Sequence, residues 1–248
     1  MDTKPAIPLS EALAAAQDWW REAGVDCDFV DEPHNWLAAP EPVTKAAAPP
    51  AATAIEPPEK PELPPLGGDR AAWPRSLAEF APWWLSEPSL AAAGSGQRIP
   101  PRGAARAKLM ILVAMPETGD SQALLSGPHG QLVSAMREAM GLAEEETYLA
   151  SALPYHAKHP DWTMLVARGF DDIVKHHIAL AAPQRILVLG RELLTLFQHD
   201  PAQGGANPRR IALEGSDTAV LAAVDPDTLL QRWKFRASLW QAWLDWRE

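Results

Sequence analysis

The second part of the chain alternates short continuous apolar runs with stretches of helical periodicity. Lys108 to Ala114 (KLMILVA) reads as a buried strand, and the segment near 127–140 (GPHGQLVSAMREAMG) as a helix with Leu132, Met136 and Met140 at the spacing of a buried face. Glu144 to Glu146 lead into a second strand at Tyr148 to Pro154. Trp162 to Ala182 predicts one long helix carrying Leu165, Phe170, Ile173, Ile178 and Leu180. Arg185 to Leu189 predicts a third strand that stops at Gly190, and Glu192 to Phe197 a further helix. Past a Gly/Asn/Pro loop at Gly204 to Pro208, strands at Arg209 to Leu213 and Thr218 to Val224 precede a final helix from about Asp227. Strands alternating with helices predict an α/β fold, a mainly parallel central sheet with helices on both faces.

The first part is patterned differently. Pro8 to Gly24 predicts a helix that Ser10 can cap and Gly24 can end, with Leu9, Leu13, Ala16 and Trp20 on one side. Pro40 to Leu66 holds nine prolines and no aromatic residue, which predicts an extended, semi-rigid linker. The expected organisation is an N-terminal helical segment at 1–37, a Pro/Ala-rich linker at 38–68 and an α/β domain at 69–248. A helix, then Trp36-Leu37, then a proline tether suits a docking peptide for a protein partner through residues 8–37. The same helix packed on its own domain is the equal alternative. Leu77 to Leu90 (LAEFAPWWLSEPSL) predicts a second helical piece gathering Phe80, Trp83 and Trp84 as a lid over the sheet.

Charge sharpens this division. Residues 1–97 carry six Lys/Arg and fifteen Asp/Glu, whereas residues 98–248 carry sixteen and seventeen, so the net charge of -10 is an N-terminal property. No general basic footprint for nucleic acid exists, and phosphate contacts would have to come from clusters such as Arg209-Arg210 or Arg232-Lys234-Arg236. Such clusters are more often ordinary solvated surface. The lone Cys27 excludes an intrachain disulfide framework and a four-cysteine metal centre within one chain. No run approaches the roughly 18 apolar residues of a membrane span, and no basic-then-apolar leader opens the sequence; a cytoplasmic protein is expected.

Several motifs agree in order and spacing with one family. Lys108 to Val113 as first strand, Gly127-Pro128-His129-Gly130-Gln131-Leu132 as a helix start, Ala182-Pro183-Gln184-Arg185-Ile186-Leu187-Val188-Leu189-Gly190, and Asp225-Pro226-Asp227-Thr228-Leu229-Leu230 together resemble the uracil-DNA glycosylases. The resemblance covers residues 74–248 and is nearest to the bacterial and archaeal iron-sulfur branches called families 4 and 5. It implies a pocket that extrudes and holds a base, and DNA as a partner. It also implies a carboxylate near the sugar or attacking water, with hydrogen-bond donors at the base oxygen.

The positions that the resemblance assigns to this chemistry have changed. The family's Gly-Glu-Ala-Pro-Gly corresponds to Val113-Ala114-Met115-Pro116-Glu117, so Ala114 stands at the carboxylate, between Met115, Pro116 and a chain that continues to Glu117 and Asp120. These two acids are the candidates for a displaced catalytic carboxylate; the plain alternative is that they are solvated loop residues. Leu125 replaces the stacking aromatic, and Ser151 replaces the amide that reads the base edge. Asp225 replaces the histidine that donates to the base oxygen, where a carboxylate opposes developing negative charge. Asp225 also suits a simple helix cap before Pro226. Gly127 and Gly130 at the helix start, Leu229 at the apolar wedge and Arg232 are the expected nucleic-acid contacts. Cysteines are absent from 82–97, and Tyr155 stands where one would follow the second strand, so no iron-sulfur cluster, no other cofactor and no metal are expected.

Two other constellations are weaker. Tyr155-His156-Ala157-Lys158-His159 lies where loops bind ligands, which makes His156 a substrate-binding candidate. Ser126, His129 and Asp120 could form a hydrolytic triad, but no Gly-x-Ser-x-Gly elbow accompanies them. His176-His177 inside a helix reads as surface or interface, and Trp233, Trp240, Trp243 and Trp246 as a packed helix face. Two functions follow: a repair-related binding or regulatory protein with little uracil excision, or a divergent glycosylase that hydrolyses the N-glycosidic bond of uracil or another damaged base with relocated acids.

Overall fold

A computed structural model describes residues 9–22, 64–91, 96–198, 208–213 and 216–247. Its contacts separate Met1–Pro58 from Glu59–Glu248. In the first unit, helix α1 spans Leu9–Glu22 and its side chains from Ser10 onward are exposed, Leu13, Trp19 and Trp20 among them. Cys27, Trp36-Leu37, the linker up to residue 63 and the Gly204–Asn207 loop lie outside the described residues.

The second unit is built on a five-stranded sheet of order β2-β1-β3-β5-β4. Its strands are β1 (Leu109–Val113), β2 (Thr147–Ser151), β3 (Arg185–Leu189), β4 (Pro208–Leu213) and β5 (Ser216–Ala223). Parallel pairing joins β2, β1, β3 and β5, and only β4 runs antiparallel, at the edge. Every residue of β1 is buried, as a strand covered on both faces requires. The two-residue period sorts the strands between two cores. Met110, Leu112, Tyr148, Ala150, Ile186 and Val188 face one side with α2 (Leu77–Ser86), α4 (Trp162–Ala167) and α5 (Phe170–Ala181). Leu109, Ile111, Val113, Leu187 and Leu189 face the other with α3 (Pro128–Ala139), α6 (Pro226–Gln231) and α7 (Trp233–Arg247).

The structure corrects several expected boundaries. The single helix expected over 162–182 is two: Asp161 caps α4, and Gly169 at φ 77° turns the chain before α5 begins. The closing helix is likewise broken at Arg232, between α6 and α7. Arg191–Phe197 winds as a 3-10 helix. The piece at 77–90 ends its α-helix at Ser86 and continues as a 3-10 turn over Pro88–Ala91.

His177 overturns the surface reading of the histidine pair. It is 2% exposed, stacks on Phe80 at 4.1 Å between ring centroids, and is bonded to the Tyr148 hydroxyl at 2.8 Å. Burial and the neighbouring His176 push its pKa down to about 3, so it sits in the core as neutral imidazole. Thus α2 is anchored by Phe80 and Trp84 onto α5 around this buried ring. Pro64 to Gly68 belong to the same body: Leu66 is buried and its N–H donates to the Arg168 carbonyl at 2.9 Å.

Candidate functional site

The carboxyl ends of β1, β2, β3 and β5 open on one cleft of about 650 Å3. The loop after β1 supplies Ala114 to Gly119 and Leu125 to His129, the loop after β2 supplies His156, the turn after β3 supplies Glu192, and the start of α6 supplies Asp225 to Asp227. Such a volume lies within the range of small-molecule sites. The fold therefore brings Glu117, Asp225, Ala114, Met115, Pro116, Leu125, His156 and Gly127 into one place.

Asp120 organises the loop from beneath. Its carboxylate accepts from the N–H groups of Glu117 at 2.9 Å, Leu125 at 2.8 Å and Ser126 at 2.8 Å, and from the Ser126 hydroxyl at 2.6 Å. Burial pushes its pKa up, but the Ser126 hydroxyl and the backbone donors outweigh it and hold the group below the usual carboxylate range. One of those donors belongs to Leu125, whose φ of 57° is a left-handed conformation that costs a non-glycine residue about 1–2 kcal/mol. Asp120 stabilises that turn and so aims the leucine side chain into the cleft wall. Asp120→Asn replaces one acceptor oxygen by an N–H2 group that meets existing donors; a loss of about 2–3 kcal/mol is expected, read as a lowered denaturation midpoint.

Glu117 does a related job for α3. The helix begins after Gly127, which has no side chain to cap it. Glu117, ten residues earlier, accepts instead from the N–H groups of Gly127 at 2.9 Å, His129 at 2.9 Å and Gly130 at 3.3 Å. Asp225 caps α6 through the Thr228 N–H at 2.8 Å and hydroxyl at 2.7 Å. His129 lies 2.9 Å from Asp227 and 3.7 Å from Glu117. His156 donates from Nδ1 to the Pro116 carbonyl at 2.9 Å, which leaves Nε2 to accept from the Thr118 hydroxyl at 3.2 Å.

The remaining sequence candidates fall elsewhere. Ser151 is 3% exposed at the end of β2 and does not line the cleft. Leu229 is wholly buried in the core under α6, while Leu230 beside it is 40% exposed. Arg232 is exposed at the end of α6. Gly130 borders a separate cavity of about 290 Å3 with Arg102 and Arg137, and Lys158 and His159 border a third of about 410 Å3. No hydrogen bond joins His129 to Ser126 among the described residues: Ser126 is held by Asp120, and His129 points to Asp227.

Glu192 is a cleft residue that sequence reasoning read only as the opening of a helix. Burial raises its pKa, and the nearby charge of Asp225 raises it further, against the lowering effect of its own N–H. Its available signal was position, two residues beyond the Gly190 that ends the central strand β3. No lysine or arginine lines the cleft among the described residues. No three His, Cys, Asp or Glu side chains among them are grouped to hold a metal ion, and no helix among them is long and apolar enough to cross a membrane.

A family model described as the uracil DNA glycosylase superfamily matches residues 100–247. No curated protein matches the sequence.

Proposed function

Since the chain belongs to the uracil DNA glycosylase superfamily, we propose that it is a DNA-repair-related binding or regulatory protein whose cleft holds a base but excises little uracil. The observation that carries this reading is the charge of the cleft. Cleavage of the N-glycosidic bond leaves negative charge on the departing uracil, which calls for hydrogen-bond donors at the base oxygen. The ionisable side chains lining the cleft are instead Glu117, Glu192, Asp225 and Asp227 with two histidines, and both histidines already have partners. Asp225, at the position where the resemblance places a donor, turns its oxygens to Thr228.

The acids proposed as displaced catalysts fit structural roles well. Asp120 accepts two hydrogen bonds on each oxygen and Glu117 accepts three from the start of α3, so both carboxylates are committed to holding the loop and the helix end. The reading also includes no iron-sulfur cluster. Trp84 and Tyr155, in the segments where the resemblance places cluster ligands, are each 1% exposed and fill that part of the core. For partner docking, the exposed Leu13 and Trp20 of α1 support a protein-binding role of residues 8–37.

The test is release of uracil from a single-stranded or mismatched oligonucleotide. The expected rate is at least about 100- to 1,000-fold below that of an enzyme that keeps a donor at the base oxygen. Robust excision would overturn the reading. A divergent glycosylase is the second reading, favoured by the open carboxyl of Glu192; in that case excision is lost in Glu192→Gln and retained in a folded Asp120→Asn protein.

A further inference from the structure

The sheet order reverses direction at β1. The strand that follows it, β2, lies on one side, and β3 lies on the other. The loops leaving β1 and β3 therefore diverge and open a crevice, the place where open α/β sheets receive ligands. Glu192 stands at that crevice. Gly190 ends β3 at φ 131°, and a Cβ there would lie 2.7 Å from Oε1 of Glu192. The carboxyl group thus occupies the room that the missing side chain leaves, against the backbone of Gly190.

Its oxygens are also uncommitted. Glu117 is taken by three N–H groups and Asp225 by Thr228 through both oxygens, while Asp227 meets His129 through one oxygen and is otherwise open to solvent. Among the described residues, only its own N–H donates to Glu192. Ala114, Met115 and Leu125 give the same cleft an apolar wall suited to the face of a ring.

Resting on the reading of this cleft as a nucleobase site, we propose that Glu192 reads the base edge and that the preferred base presents two adjacent N–H donors, as guanine does, rather than the edge of uracil. A carboxylate offers two parallel acceptors, which such an edge meets in a bidentate pair. Uracil presents a single N–H between two carbonyl oxygens, and those oxygens meet the carboxylate oxygens with no donor between them. The acidic lining adds to the preference, because it favours a donor-rich or cationic ring over one rich in carbonyls.

The experiment is calorimetric or NMR titration of the full chain with guanosine, inosine and uridine. Inosine keeps the ring N–H of guanosine and lacks its amino group, so the pair isolates the second donor without any mutation. Guanosine is expected to bind at least about tenfold tighter than inosine, and uridine most weakly. Glu192→Gln, of equal size, is expected to erase the guanosine advantage with the thermal midpoint unchanged or raised. Equal binding of guanosine and inosine, or an advantage that survives in Glu192→Gln, overturns the proposal. Tightest binding of uridine overturns it and leaves the nucleobase cleft standing; absence of binding by all three overturns both.

Discussion

Gly130→Ala is expected to lower stability by about 3 kcal/mol or more, a fall of about 10 °C in thermal midpoint, while Gly119→Ala in the loop before α3 is close to neutral. A Cβ at Gly130 would lie 1.8 Å from the Leu125 carbonyl oxygen and 2.6 Å from its carbon. Both are backbone atoms, so no rotamer change relieves the contact. Leu125 cannot retreat either, because its N–H is fixed to Asp120 and its side chain is buried in the core. The first turn of α3 must then move away from the loop, which also takes the Gly127, His129 and Gly130 N–H groups away from Glu117. At Gly119 an added Cβ meets nothing within 4 Å. Equal midpoints for the two variants would show that α3 and the loop are not braced against each other in this way.

Acidification is expected to destabilise the domain in a window set by His177. Its pKa is about 6.5 in the unfolded chain and pushed down to about 3 in the folded one. Between these values the unfolded state binds the extra proton, so stability is complete above about pH 6.5 and falls as pH falls toward 3. At pH 4 the loss from this group alone is about 3 kcal/mol. The groups around it are Tyr148, His176, Phe80 and Trp84, and none carries a negative charge that would stabilise an imidazolium. A double variant, His177→Phe with Tyr148→Phe, removes both members of the buried hydrogen bond together and avoids leaving one unsatisfied. It is expected to flatten the acid limb of urea midpoints measured from pH 4 to pH 8. Asp120 and Glu192 titrate in both proteins, so the difference between the two curves reports His177; parallel curves would refute its role.

Burial was legible in the sequence wherever it followed from a period, and obscure wherever a single residue reversed the trend. β1 and β3 were readable because five apolar residues in succession in one and four in the other leave no exposed face. The break at Gly169 was not, because the apolar positions on either side keep a helical spacing and one glycine in a helix costs only about 1 kcal/mol. His177 sits in register with Phe170, Ile173, Val174 and Ile178 on the buried face of α5, and only its polarity concealed this. In the cleft, the family resemblance set Ala114, Glu117, Leu125 and Asp225 in the loops that follow strands, and these four line one cavity. What those acids touch was not readable, since backbone N–H groups leave no mark in the sequence. Glu192 was missed for the complementary reason: a carboxyl that lacks partners has no motif.

One consequence follows from Glu117 at the start of α3. A helix beginning with free N–H groups is a ready receptor for phosphate, and here the chain has supplied its own anion to that receptor. A phosphate could enter only by evicting a carboxylate whose negative charge would then remain beside it. Contacts at this helix end therefore displace no condensed cations from a nucleic acid, and the salt dependence of DNA binding has to arise elsewhere, at basic side chains such as the exposed Arg232.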